Sequence, residues 1–171
     1  MEKNSKPPYL IGLLCLIPLV GALVGVALIL YGVLKYKDKW LIAIGAFGVV
    51  FTIGVYSFLA YDLKYGKDAG EAFARIAQKQ INNLANELES YKARNGKYPD
   101  DLDQLSHWNS DIIIADPLLV RKEFKNPKPY FHYVNKGDNY ILFSVGIDGF
   151  PNTKDDIYPN LPTGHYGYIK P

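Results

Sequence analysis

The chain has 171 residues, 49 % of them hydrophobic, with 19 Lys/Arg against 17 Asp/Glu and a formal net charge of +2. These averages hide a division. Between residues 9 and 61 the only charges are Lys35, Lys37, Asp38 and Lys39, whereas the 110 residues from Asp62 onward carry 14 basic and 15 acidic side chains. The apolar first third excludes a simple soluble domain, and the near-neutral remainder offers no basic face for nucleic acid. A single cysteine, Cys15, excludes an intramolecular disulfide.

In chain order, residues 9–34 form an uncharged run of 26 and residues 40–61 a second of 22. A helix rises about 1.5 Å per residue, so about 20 residues cross a hydrocarbon layer about 30 Å thick. Both runs are therefore expected to span a membrane. Tyr9, Tyr31, Tyr36, Trp40, Tyr61 and Tyr65 sit near their ends, where amphipathic rings favour the headgroup level. The first run is too long for the apolar region of a cleaved signal and no small-residue cleavage site follows it. The expected organisation is a transmembrane hairpin over residues 1–61 and a globular domain over 62–171. Pro18 is expected to kink the first span. Gly21 and Gly25 on the first span, and Gly45 and Gly48 on the second, present thin surfaces that let helix backbones approach. They serve either the hairpin itself or a homo-oligomer.

Three lysines in the hairpin loop argue for a cytoplasmic loop, but Lys3, Lys6, Lys64, Lys67 and Arg75 on the other side oppose that count. The positive-inside rule leaves the sidedness open.

Residues 68–95 place Phe73, Ala77, Ile81, Leu84, Leu88 and Tyr91 three and four apart, the pattern of a helix with one buried stripe. Asn95-Gly96 supplies its stop and Pro99 forbids resumption. A short helical turn is expected at 100–105, capped by Asp100 or Asp101. Residues 109–126 read as irregular, with a basic stretch around Arg121, Lys122 and Lys125. PYFHYV at 129–134 and NYILFSV at 139–145 flank NKGD and predict a β-hairpin.

The last feature, SVGIDGFPNTKDDIYP at 144–159, is the candidate chemical site. Asp148, Asp155 and Asp156 lie within nine residues, and Gly146, Gly149 and Pro151 allow the chain to fold sharply between them. Hard cations such as calcium take six to eight oxygens from carboxylates, carbonyls and water. The EF-hand pattern is not met. From composition alone three acids in a loop read as solvated turn residues before they read as a metal loop.

The string LESYKARNGKYPDDLDQL at 88–105, DP at 116–117, PY at 129–130 and SVGIDGFPNTKDDI at 144–157 resembles the C-terminal domain of the type II secretion major pseudopilin, the G-type pilin-like subunit. The resemblance covers about residues 72–158. It implies an α+β fold, one long helix on a small antiparallel sheet, closed by an acidic calcium-binding loop. Residue by residue, Asp148, Asp155 and Asp156 match the loop carboxylates, with carbonyls near Ile147 contributing and Ser144 and Thr153 shaping the loop. The N terminus departs from the family. Pseudopilins begin with a short basic leader followed by a Phe-starting apolar helix with an early Glu, whereas the first span here starts YLIGLLC and holds no acid. A permanently tethered pseudopilin-like domain is therefore expected, not one released into a filament.

The functional expectation is a non-enzymatic protein of the bacterial inner membrane. Its C-terminal domain would be extracytoplasmic and calcium-stabilised, touching membrane lipid and proteins of a secretion or pilus-like assembly. Two alternatives stand beside it: an interaction domain without metal, and a membrane enzyme. For the latter, His107, His132 and His165 are the only histidines, and no metalloprotease, nucleophile-elbow or P-loop motif accompanies them. A triad of Ser144, His132 and Asp148 can be drawn only on paper. A channel is disfavoured because neither span carries an internal charge.

Overall fold

A computed structural model describes residues 7–123, 125–162 and 167–170. Lys3, Lys6 and His165 lie outside the described residues. The chain divides into two compact units, Met1–Tyr61 and Asp62–Pro171.

In the first unit the run 9–34 is not one helix. Tyr9–Leu16 is a 3-10 helix, Ile17 is extended at φ −89°, ψ 111°, and Leu19 stands at φ 73° before α1, Val20–Tyr31. Pro18 explains the break: it lacks an N–H and drives the preceding residue out of the helical region. The expected kink is thus a full interruption. A π-helical turn, Gly32–Tyr36, follows α1, and Lys37 is left-handed at φ 49°. Asp38 then accepts hydrogen bonds from the N–H groups of Trp40 (2.8 Å) and Leu41 (3.0 Å), capping α2, Lys39–Tyr65. Among the described residues α2 is the one helix long and apolar enough to cross a membrane, judged by length and composition, and the apolar helix Val20–Tyr36 is shorter.

Within this unit α1 and α2 touch backbone to backbone. A Cβ added at Gly25 would stand 2.5 Å from the carbonyl oxygen of Gly45, and one added at Gly45 would stand 2.5 Å from that of Gly25. A Cβ at Gly48 would meet Cys15 Sγ at 2.6 Å, and one at Gly21 would run into the Cys15 carbonyl. Cys15, Leu28 and Leu41 are buried together.

The second unit starts with a corner. Gly66, extended at φ −63°, ψ 143°, separates α2 from α3, Lys67–Asn95. Ala77, Ile81, Leu84, Ala85, Leu88 and Tyr91 form the buried stripe of α3. Gly96 ends it in the left-handed conformation at φ 77°, donating to the Lys92 carbonyl at 2.8 Å. Asp101 caps α4, Leu102–Trp108, by accepting from Gln104 N at 2.7 Å.

Residues 109–126 are not wholly irregular. They contain α5, Pro117–Lys122, with Asp116 as its cap and proline in its first turn. That is the arrangement in which the missing N–H of proline costs nothing. Two strands, β1 (His132–Asn135) and β2 (Tyr140–Phe143), pair antiparallel with His132 opposite Phe143 and Asn135 opposite Tyr140. Single bridges Ala115–Tyr130, Tyr140–Tyr168 and Ser144–Ile157 extend this small sheet. The core joins the α3 stripe to Leu105, Leu118, Phe131, Tyr140 and Leu142. The architecture of this unit is α+β, a long helix with a two-stranded antiparallel sheet.

Candidate functional site

The acidic loop leaves β2 at Ser144 and is drawn shut at its base. Ser144 N donates to the Ile157 carbonyl (2.9 Å) and Ile157 N donates back to the Ser144 carbonyl (3.1 Å). Between them Gly146, Gly149 and Asn152 adopt left-handed conformations at φ 72°, 81° and 65°. Two of these leave no room for a side chain. A Cβ at Gly146 would stand 2.5 Å from the Asp155 carbonyl oxygen, and one at Gly149 would stand 2.9 Å from Cγ of Lys122. Hence only glycine satisfies both the backbone angle and the close approach.

The three acids do not share one orientation. Asp155 Oδ1 accepts from the Thr153 hydroxyl (2.7 Å) and its Oδ2 from Asp148 N (2.9 Å). Asp156 Oδ2 accepts from Asn152 N (2.8 Å), while its Oδ1 lies 3.3 Å from the same Thr153 hydroxyl. Asp155 and Asp156 therefore flank Thr153. Asp148 instead turns back on its own strand of the loop, its Oδ1 accepting from Phe150 N at 2.8 Å. Among the described residues no group of three His, Cys, Asp or Glu side chains is gathered as a metal site. Two carboxylates around one hydroxyl fit part of a hard-cation shell, and the rest would come from backbone carbonyls and water. The Ile147 side chain packs against the domain core.

Burial works to raise the Asp155 carboxyl, but hydrogen bonds from Thr153 and from backbone N–H groups outweigh it and hold it below the usual carboxylate range. Asp116 is the opposite case. It is fully buried, its Oδ1 accepting from Leu118 N (2.9 Å) and its Oδ2 from Val145 N (3.1 Å). One carboxylate thus caps α5 and grips the first residue of the loop. Burial pushes its carboxyl up, and the hydrogen bonds from the N–H groups of Val145 and Leu118 offset only part of this.

Sequence reasoning noted the Asp116-Pro117 pair but not its task. The signal was present: an Asp before a Pro and an apolar run is a helix start. Arg121 belongs to a basic stretch of sequence, yet it is 1 % exposed. Its Nε donates to the Leu63 carbonyl (2.7 Å) and its Nη2 to that of Gly66 (2.5 Å). Gly70 makes this possible, since a Cβ there would stand 2.8 Å from Ile147 Cγ2 and 3.0 Å from Arg121 Nη1. Of the histidines, His132 packs on Phe143 with ring centroids 4.4 Å apart, and His107 Nδ1 lies 2.6 Å from the Asp103 carbonyl. With Asp148 turned to Phe150, no triad forms with Ser144.

A family profile described as "Type II secretion system (T2SS), protein G" matches residues 64–159. The chain belongs to that family. The match to T2SS protein G takes in the Gly66 corner, α3, α4, α5, the β-hairpin and the acidic loop, a somewhat longer stretch than the resemblance at 72–158. No curated protein and no solved structure matches the chain. Membership in the T2SS protein G family gives this chain a pseudopilin-like role in secretion, in a family that is structural, not catalytic.

Proposed function

We propose that the chain is a permanently membrane-anchored, non-enzymatic pseudopilin-like domain. Calcium rigidifies its acidic loop, and the domain docks with other proteins of a type II secretion or pilus-like assembly. Residues 9–34 and 40–61 hold it in the bacterial inner membrane, with the C-terminal unit extracytoplasmic, where calcium levels fill a modest-affinity loop. The supporting observation is the closed loop. Its base is tied at Ser144–Ile157, and Asp155 and Asp156 face one hydroxyl, inside the part of the chain that matches the family. Asp155 and Asp156 would hold the ion, with carbonyls near Ile147 and, after a turn of its side chain, Asp148. The metal would supply loop rigidity and no chemistry. In favour of both apolar runs meeting lipid, Leu10, Leu23, Leu34, Trp40, Val50 and Phe58 are each at least two-thirds exposed.

The test is thermal melting of the detergent-solubilised full chain in EDTA and in millimolar calcium, beside the Asp155→Ala/Asp156→Ala variant. A ligand at about 100 times its Kd adds about 2.7 kcal/mol, which raises the midpoint by several degrees. A calcium-specific rise absent from the variant supports the reading. A folded wild type that ignores calcium sinks the metal and leaves the interaction domain without it.

A further inference from the structure

We propose that Lys64, Lys122 and Lys125 form a binding site for the phosphate of an anionic phospholipid headgroup. The three come from stretches nearly sixty residues apart in sequence, the last turn of α2 for Lys64 and, for Lys122 and Lys125, the end of α5 and the residues just after it. They line one open cleft of about 650 Å³ together with Glu123 and Asn126. Three ammonium groups thus line the cleft with one carboxylate, in a unit where acids outnumber bases 15 to 14. That carboxylate is engaged, since Glu123 Oε2 accepts from Asn126 Nδ2 at 3.1 Å. Among the described residues no acid forms an ion pair with Lys122 or Lys125.

The walls of the cleft are fixed to each other. Arg121, next to Lys122, is bound to the carbonyls of Leu63 and Gly66, which bracket Lys64. The stem of Lys122 lies where a side chain on Gly149 would stand, so the acidic loop backs it. The ammoniums of Lys122 and Lys64 lie 5.3 and 5.4 Å from the centre of the Tyr65 ring. An aromatic ring flanked by lysines is the side-chain pairing that membrane interfaces favour. Lys64 follows the uncharged run by only three residues, and α2 has 27 residues where about 20 cross the hydrocarbon. Chain length therefore keeps the cleft within reach of the headgroups. The lipid is favoured over a soluble phosphate because of that tether.

This rests on α2 being a membrane span, and the experiment separates the two. The full chain is placed in nanodiscs of phosphatidylcholine, with or without phosphatidylglycerol, and released for native mass spectrometry to count retained lipids. Wild type is expected to retain phosphatidylglycerol preferentially. The Lys122→Gln/Lys125→Gln variant should lose roughly fivefold of that preference per lysine, whereas Lys97→Gln/Lys136→Gln, equal in charge, should keep it. Melting in phosphatidylcholine discs checks that both variants stay folded. Equal retention of the two lipids overturns the site, and so does a preference that survives in Lys122→Gln/Lys125→Gln. Displacement of the lipid by glycerol 3-phosphate in the buffer assigns the cleft to soluble phosphates instead and overturns the lipid. A chain that never enters the discs overturns the anchor as well as the site.

Discussion

The two units are held together by opposite means. In the first, Gly25 meets Gly45 and Gly48 meets Cys15 through missing side chains, while Leu23 and Phe58 point outward. In the second, the large side chains point inward: Ile81, Leu84, Leu88, Leu105, Leu118 and Leu142 are all fully buried. Water rewards the second arrangement, because each apolar side chain removed from it stabilises the fold. In the membrane setting proposed for the first unit there is no such reward, and close backbone approach is what remains. The same residue type therefore has opposite worth in the two halves. Leu23 faces outward in one while Leu84 fills the core of the other, and Gly45 makes a helix contact in one while Gly96 ends a helix in the other.

The largest effect should come from emptying the second core. Leu84→Ala, at a fully buried position, is expected to cost about 2–5 kcal/mol by lost transfer energy and a residual cavity. Hydrogen exchange should speed up across the α3 amides while those of α1 keep their wild-type rates. Equal acceleration in both units would break the comparison.

Filling the glycine contact is next. Gly45→Leu places atoms where the Gly25 carbonyl stands, an overpacking worth about 1–3 kcal/mol. Exchange in α1 should accelerate with α3 unchanged. If α1 amides hold their rates, the backbone contact contributes nothing to the hairpin.

A smaller effect concerns pH in the second unit. The Asp155 carboxyl is depressed, so its contribution is present above the ordinary carboxylate value of about 3.9 and is lost as pH falls through its folded value. Asp155→Asn should therefore flatten the melting temperature below about pH 4. Asp116 is raised, so its ionisation subtracts stability as pH climbs from about 3.9 through its folded value. Asp155→Asn must leave that decline in place. A variant that alters the neutral limb and not the acid limb would reverse the assignment. The smallest effect is Leu23→Ala, on an outward position 74 % exposed, expected within about 0.5 kcal/mol of wild type when the hairpin is melted in detergent.

Much of the second unit was legible because its signals are local. The stripe from Ala77 to Tyr91, the Gly96 stop, the Asp101 cap and the Tyr140 strand each follow from residues within one turn or one pleat. The order from NGKYP to the acidic loop was enough to name the family. What escaped was long-range or directional. Asp116 reaches Val145, 29 residues on, and Arg121 reaches Leu63, 58 residues back. Spacing carries no trace of either partnership. Three acids close in sequence look like one set, but Asp148 belongs to a turn of its own at Phe150. In the first run, hydrophobicity predicted a single helix, and one residue, Pro18, outweighed the other 25.

The clasp of Arg121 on the Leu63 and Gly66 carbonyls has one more consequence. Buried as it is, the contact is little screened by salt. The tie between the last turn of α2 and α5 should therefore hold at ionic strengths that dissolve an exposed pair such as Lys67–Glu71.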